Sequence, residues 1–280
     1  MKKWIAIFIA VLLCLSLVCC TGGNTTDDVD APQNSFERII QAGVLVVGTS
    51  PDYAPYEFIN PNLTGQDAIV GADMAFIRYV AHQLGVEIDI KEIEFDSIEI
   101  AVQTGTIDIG VAGYSYTDER AENFDLSDPY SSNSNGQRVL VKKGEEGNYK
   151  TSEDFAGKRV AVQNASFQQK LAGEQLPDTA ILVPITNIND AILMLLSDQV
   201  DAIAVDGGNG LAILNAHSDE LAFAEFEFDF EDEVFVLMLQ KDSPVLLEEV
   251  NRIIAEVVSQ NLFEQWYQEA VELQQELGID

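Results

Sequence analysis

Positive charge is scarce in this chain. Lys and Arg number 15 against 47 Asp and Glu, and the formal net charge is −32 over 280 residues. A surface of that sign repels phosphates and anionic headgroups, which excludes nucleic acid and a bare anionic membrane face as partners. Histidine occurs only at His82 and His217, both in polar helical surroundings, and neither reads as a metal ligand or a general base. The cysteines are Cys14, Cys19 and Cys20, all near the start of the chain. The remainder therefore offers no disulfide, no thiolate nucleophile and no cysteine-based metal site, and no cofactor is expected.

What is present begins with a targeting segment. Lys2 and Lys3 precede an apolar run over residues 4–18, which ends at Cys19-Cys20. The run is short for a membrane span. Residues 21–35 are polar and glycine-bearing, a flexible tether in composition. Leu17-Val18-Cys19-Cys20 resembles a bacterial lipobox, which implies lipidation of the cysteine after the cleavage point. Cys19 stands where a small residue is usual, so cleavage before Cys20, before Cys19 or not at all stays open. The expectation is a signal peptide over 1–19, lipid on Cys20 and a tether to residue 35. That would anchor the protein to the cell membrane on its extracytoplasmic face.

From residue 36 onward, short apolar strands alternate with amphipathic helical patterns. Strands are expected at 44–48, 86–91, 107–112, 158–163, 181–183 and 201–205, and helices at 73–84, 166–175 and 188–197, with Asp73 as an N-cap. This alternation implies an α/β fold of mostly parallel sheets with helices on both faces. A composition that is 47% hydrophobic is enough to build real cores.

An internal echo divides the chain. "TIDIGVAG" (106–113) matches "QVDAIAVD" (199–206) in pattern, and "AGVLVVGTS" (42–50) matches "AGKRVAVQN" (156–164). Two lobes of one design follow, in which Gly113 and Asp206 end equivalent strands, as do Ser50 and Asn164. Ligands of open parallel sheets lie beyond the carboxyl ends of the strands, so these four ends would line one cleft. Extended segments at 132–144 and 225–239 read as two crossings between lobes, and two crossings make a hinge. The first lobe is expected to hold 36–136 and 231–280, with helices over 244–277, and the second lobe 137–230.

The stretches "GTSPDYAPYEF" (48–58), "VGADMAF" (70–76), "AVQTGTIDIGVAGYSYTDERAENFDLSDPY" (101–130), "EDFAGKRVAVQNAS" (153–166) and "VDAIAVD" (200–206) occur in order. Together they resemble the polar amino-acid branch of the bacterial extracellular solute-binding proteins, over about residues 36–275. The resemblance implies a two-lobed periplasmic-binding-protein fold joined by two crossing strands. It also implies a free L-amino acid as ligand and the permease subunits of an ABC importer as partner. A monomer is expected.

A free amino acid is a zwitterion, and both its charges must be met when it leaves water. Arg120 suits the carboxylate, because a guanidinium fork takes two oxygens in parallel. Its bland alternative is a surface ion pair with Asp118 or Glu119. Ser115 suits either ligand charge, and the Gly113 carbonyl can accept from the ammonium. Asp206 offers the counter-charge across the cleft, its alternative being a helix N-cap. Ser166 opens a helix, whose free N–H groups favour an anion. By resemblance Tyr53 and Phe95 are the aromatic clamp. Of Tyr114 and Tyr116, strand alternation points only one inward.

Relatives that bind cationic side chains often carry aspartate where this chain has Ser50. Asp52 could replace it only if the loop turned. With Gln163 at the other side-chain contact, the ligand expected is neutral and polar, glutamine first. Two other classes stand beside this one. Some relatives are prephenate or arogenate dehydratases, but the cleft offers only Asp206 and Asp52 as acids, so no enzyme is expected. The other is a ligand sensor working through a separate signalling partner.

Overall fold

Strand and helix alternate along the chain as the apolar periodicity requires. The computed structural model describes residues 32–132, 135–230 and 233–279. The expected signal peptide, Cys20 and the expected tether up to residue 31 lie outside those residues, while the tether's last residues are already structured, with Asn34 capping a helix that opens at Ser35. The first lobe opens with Ser35–Ala42 (α1), Val44–Thr49 (β1) and a small sheet of Asp52–Tyr53 (β2), Glu57–Ile59 (β3) and Ile69–Val70 (β4). Ala72–Leu84 (α2), Glu87–Glu92 (β5), Phe95–Gln103 (α3), Ile109–Gly110 (β6), Asp118–Asn123 (α4) and Phe124–Leu126 (β7) continue it. Ser131–Ser132 (β8) leads out. The second lobe holds Gln137–Lys142 (β9), Arg159–Gln163 (β10), Phe167–Gln175 (α5), Ile181–Ile185 (β11), Ile188–Leu196 (α6), Ala202–Asp206 (β12), Gly207–Ala216 (α7) and Leu221–Glu227 (β13). Val234–Phe235 (β14) returns, followed by Met238–Gln240 (β15), Pro244–Ser259 (α8) and Leu262–Leu277 (α9).

The two main sheets have one design. Their orders are β5-β1-β6-β15-β7 and β11-β10-β12-β9-β13. In each, three parallel strands from one lobe meet a strand that runs the other way. Four of the five strands in each sheet run the same way, and one, β15 or β9, runs against them. The reason is the crossing. A strand that arrives from the hinge, β15 or β9, starts at the cleft and runs against the strands that end there. β8 and β14 pair antiparallel at the crossing itself (Ser131 with Phe235, Ser132 with Val234).

β1 is central, flanked by β5 and β6, so Leu45 and Val47 are buried completely. Fully burying such side chains stabilises the fold by about 1.5–3 kcal/mol each. The strand expected over 107–112 pairs only at Ile109–Gly110. Asp108 keeps its backbone N–H on the Val46 carbonyl at 2.8 Å, but it is its side chain that accepts the Val46 N–H, at 2.9 Å, while also pairing with Arg38. The expectation for Asp73 is also corrected. Helix α2 starts one residue earlier, after Gly71, whose φ of +127° only glycine adopts readily. A Cβ there would lie 2.2 Å from the Tyr56 carbonyl oxygen. Asp73 instead turns inward, fully buried.

Helices α8 and α9 pack on the first lobe through Val250, Ile253, Val257 and Phe263. Phe263 packs tilted against Tyr130, with ring centres 5.0 Å apart. Helix α9 also reaches the second lobe, where Gln274 donates to the Ala212 carbonyl at 3.4 Å. Among the described residues no helix is long and apolar enough to cross a membrane.

Candidate functional site

The chain beyond β6 enters the cleft at Gly113. Its φ is +55°, in the left-handed region where glycine is favoured. Its N–H donates to Asp73 Oδ2 at 2.8 Å, and that carboxylate also accepts from the Tyr130 hydroxyl. Burial pushes Asp73 up to about 6, against the lowering effect of those donors. Asp73 thus pins the backbone of the glycine.

Arg120 lies in the first turn of α4, with the Thr117 side chain capping that helix. It is 6% exposed. Nη1 donates to the Ser115 carbonyl at 2.8 Å, Nη2 to the Ala165 carbonyl of the second lobe at 2.8 Å, and Nε to Glu99 at 3.2 Å. Its ion-pair partner is therefore Glu99 from α3, and neither sequence neighbour, Asp118 nor Glu119, takes it. The guanidinium also lies 4.9 Å over the Tyr114 ring. Tyr114 is fully buried and stacks on Phe95 at 4.9 Å, while Tyr116 is 47% exposed. Only one of the two tyrosines turns inward, and not by strand alternation: residues two apart share a face of a regular strand, and the backbone over 114–116 is not one. Tyr114 stands behind Phe95 and supports it through a hydroxyl bond to the Phe95 carbonyl at 3.2 Å.

In the second lobe, Ser166 caps α5 by accepting the Gln169 N–H. Asp206 caps α7, accepting from Gly208 and Asn209 at 2.8 and 3.1 Å. It therefore is a helix cap, and it also faces the first lobe. Its carboxyl is pushed up to about 7, first by burial and then by the charge of Glu233, with the two N–H groups and the Tyr56 hydroxyl pulling the other way. Tyr53, on β2, is pushed well up by burial and by the charges of Asp206 and Glu233. Tyr53, Asp206 and Glu233 thus form one corner of the cleft.

Asp52 is the departure with most consequence. The loop after Ser50 does turn. The Asp52 side chain is buried between the lobes, with Oδ2 accepting the Ile188 N–H at 2.8 Å and Gln163 Nε2 at 3.2 Å, and Oδ1 accepting from Ser50 Oγ at 2.8 Å. Burial raises its pKa against these donors, and Glu94 adds to the rise. Ser50 also borders an open cleft of about 290 Å³ beside Glu92 and Glu94.

Tyr53, Phe95, Gly113, Ser115, Arg120 and Gln163 line one cavity between the lobes, beside Phe167 and Gln168 of α5. Its volume is about 10 Å³, room for about one water and far below the roughly 300 Å³ at which ligand pockets begin. The lobes are closed on each other. Besides the Arg120 and Asp52 contacts, Asn164 donates to Asp96 at 3.2 Å, Gln168 to the Tyr53 hydroxyl at 3.4 Å and Asn209 to the Ala54 carbonyl at 2.9 Å. Ser50, Tyr114, Ser166 and Asp206 surround this cavity without lining it. Sequence reasoning did not single out Glu233 or Gln168, and it read Asp73 only as a helix cap. An acidic run around Glu233 hides which carboxylate turns inward, so no local signal marks it.

A cleft of this kind, closed between two sheets of one design and carrying a buried arginine opposite buried carboxylates, defines a solute-binding protein. The sequence profile of the bacterial extracellular solute-binding proteins, family 3, matches residues 45–270, and the chain belongs to that family. The arginine-binding extracellular protein ArtP of Bacillus subtilis is 26% identical over 92% of this chain and 93% of its own length. The L-cystine-binding protein TcyJ of Escherichia coli is 28% identical over 85% of this chain and 87% of its own. The substrate-binding protein AbpA of an amino-acid ABC transporter from Streptococcus pneumoniae, solved with L-arginine bound, superposes with a TM-score of 0.79 at 30% identity. It covers 85% of this chain and 98% of its own. These relatives bind their solutes rather than convert them, and the family acts outside the cytoplasm. The dehydratase alternative is thereby set aside.

Proposed function

We propose that this chain captures a free L-amino acid between its lobes and delivers it to the permease of an ABC importer. The ligand we assign is one with a cationic side chain, L-arginine first. The carrying observation is Asp52. A carboxylate buried in the cleft, with only neutral donors around it, strongly favours a cation in reach. Oδ1 accepts a single side-chain bond, from Ser50, and a carboxylate oxygen has room for a second. Glu92 and Glu94 border the adjoining opening and add to the negative field. Arginine-binding relatives support the same reading.

A second reading keeps the neutral polar ligand, glutamine first. It is favoured by the three donors that already satisfy Asp52 and by the amide of Gln163 at the same place. A thermal-shift panel of L-amino acids separates the two. A ligand at a hundred times its Kd adds about 2.7 kcal/mol, a rise of roughly 5–10 °C at this size. The largest shift is expected with L-arginine. A largest shift with glutamine overturns the cationic reading and upholds the neutral one.

The protein acts as a monomer held at the outer membrane face by lipid on Cys20. Delivery to a permease, rather than signalling through a kinase, is checked by crosslinking the ligand-loaded protein in membranes and identifying what it joins.

A further inference from the structure

We infer that Glu233 is a positioning residue for the ligand's ammonium group, acting through Ser115. The inference rests on the reading that the ligand is an L-amino acid, whatever its side chain.

Glu233 lies in the second crossing between the lobes, immediately before β14, and is 5% exposed. Its Oε1 accepts from the Ser115 hydroxyl, and its Oε2 accepts from Gln137 Nε2 at 2.7 Å. Gln137 opens β9 and stands opposite Asp206 in the β9–β12 ladder. One carboxylate therefore joins a cavity-lining serine to β9, the strand paired with the one that carries the second lobe's acid.

The consequence is chemical. A serine hydroxyl has one proton, and here it is given to Glu233. Ser115 Oγ can then only accept from a ligand. It cannot donate to the ligand's carboxylate, which is left to Arg120. Of the two roles open to Ser115, the contact with Glu233 selects the one toward the ammonium. The same corner has acceptors to spare. Among the described residues, Gln137 Oε1 and Asn209 Oδ1 are buried and accept no hydrogen bond, beside the carboxylates of Asp206 and Glu233. An ammonium group brings three donors and one positive charge to such a corner.

The experiment compares Glu233→Gln with wild type by calorimetric titration with L-arginine and with 5-guanidinopentanoate, the same molecule without its amino group. Should wild type prefer another L-amino acid in the thermal-shift panel, that amino acid and its des-amino analogue are used. Glutamine at this position keeps the shape but removes the charge and turns one of the two acceptor oxygens into a donor. The amino acid should weaken by about 10- to 100-fold, while the des-amino analogue holds or tightens. In a Ser115→Ala background the same Glu233→Gln change should cost the amino acid much less. Equal weakening of both ligands, an unchanged amino-acid affinity or a full loss in the Ser115→Ala background each overturns the inference. Failure of the arginine assignment alone changes only which pair of ligands is titrated.

Discussion

The Asp52 carboxylate of the first lobe accepts the Ile188 N–H of the second at 2.8 Å, across 136 residues of chain. It is a latch as well as a charge. Opening the cleft must break this bond and the one from Gln163.

Asp52→Ala should therefore loosen the closed state of the ligand-free protein. It leaves the Ile188 N–H without its acceptor, and an unsatisfied donor that would otherwise be buried costs about 1–3 kcal/mol. Small-angle scattering should show a larger radius of gyration for the variant than for wild type. Identical profiles would mean that the latch does not hold the lobes.

Arg120→Ala and Asp206→Ala should each remove measurable amino-acid binding. Loss of one partner of a buried charged contact costs about 3–5 kcal/mol, a hundred- to several-thousand-fold in affinity. Asp206→Ala also removes the cap of α7, so its melting temperature should fall further than that of Arg120→Ala. Binding within about threefold of wild type in either variant would refute the charge assignment at that position.

Affinity should depend on pH through Asp206. Its folded, ligand-free carboxyl is pushed up to about 7, whereas an unfolded aspartate titrates near 4. The folded state thus binds the proton more tightly. The stability this group contributes is fully present below about pH 4 and is lost as pH rises through about 7. Ligand ammonium needs the ionised form, so binding expels a proton. Affinity should rise between about pH 6 and pH 8, by up to about tenfold per unit below the pKa. Titrations in two buffers of different ionisation enthalpy would report the released proton, and no release would count against Asp206.

Gly113→Ala places a Cβ 3.5 Å from the Tyr53 ring at a φ of +55°. The space is adequate but the backbone is strained, by about 1–2 kcal/mol for a side chain in the left-handed region. Stability should fall by that amount in denaturant melts, and affinity should fall with it because Asp73 would no longer hold the strand end unstrained.

Cys20→Ala should release the protein into the medium or leave an unprocessed precursor. Unchanged metabolic lipid labelling would refute Cys20 as the anchor, and persistence of the label only until Cys19 is also replaced would move the assignment one residue back.

The sequence by itself determined the architecture. Strand and helix periodicities, read along residues 36–275, placed the elements, and the echo of 42–50 in 156–164 anticipated two sheets with β1 and β10 in equivalent central positions. The scarcity of cations made Arg120 conspicuous before any neighbour of it was known. Those signals are local, carried by residues a few positions apart. Tertiary structure decided the rest. Glu99 rather than Asp118 or Glu119 pairs with Arg120, Asp52 turns inward, and Glu233 meets Ser115 across 118 residues. In a chain so rich in carboxylates, composition cannot tell which few are buried. That choice is made only when the crossings fold the lobes together and remove particular carboxylates from water.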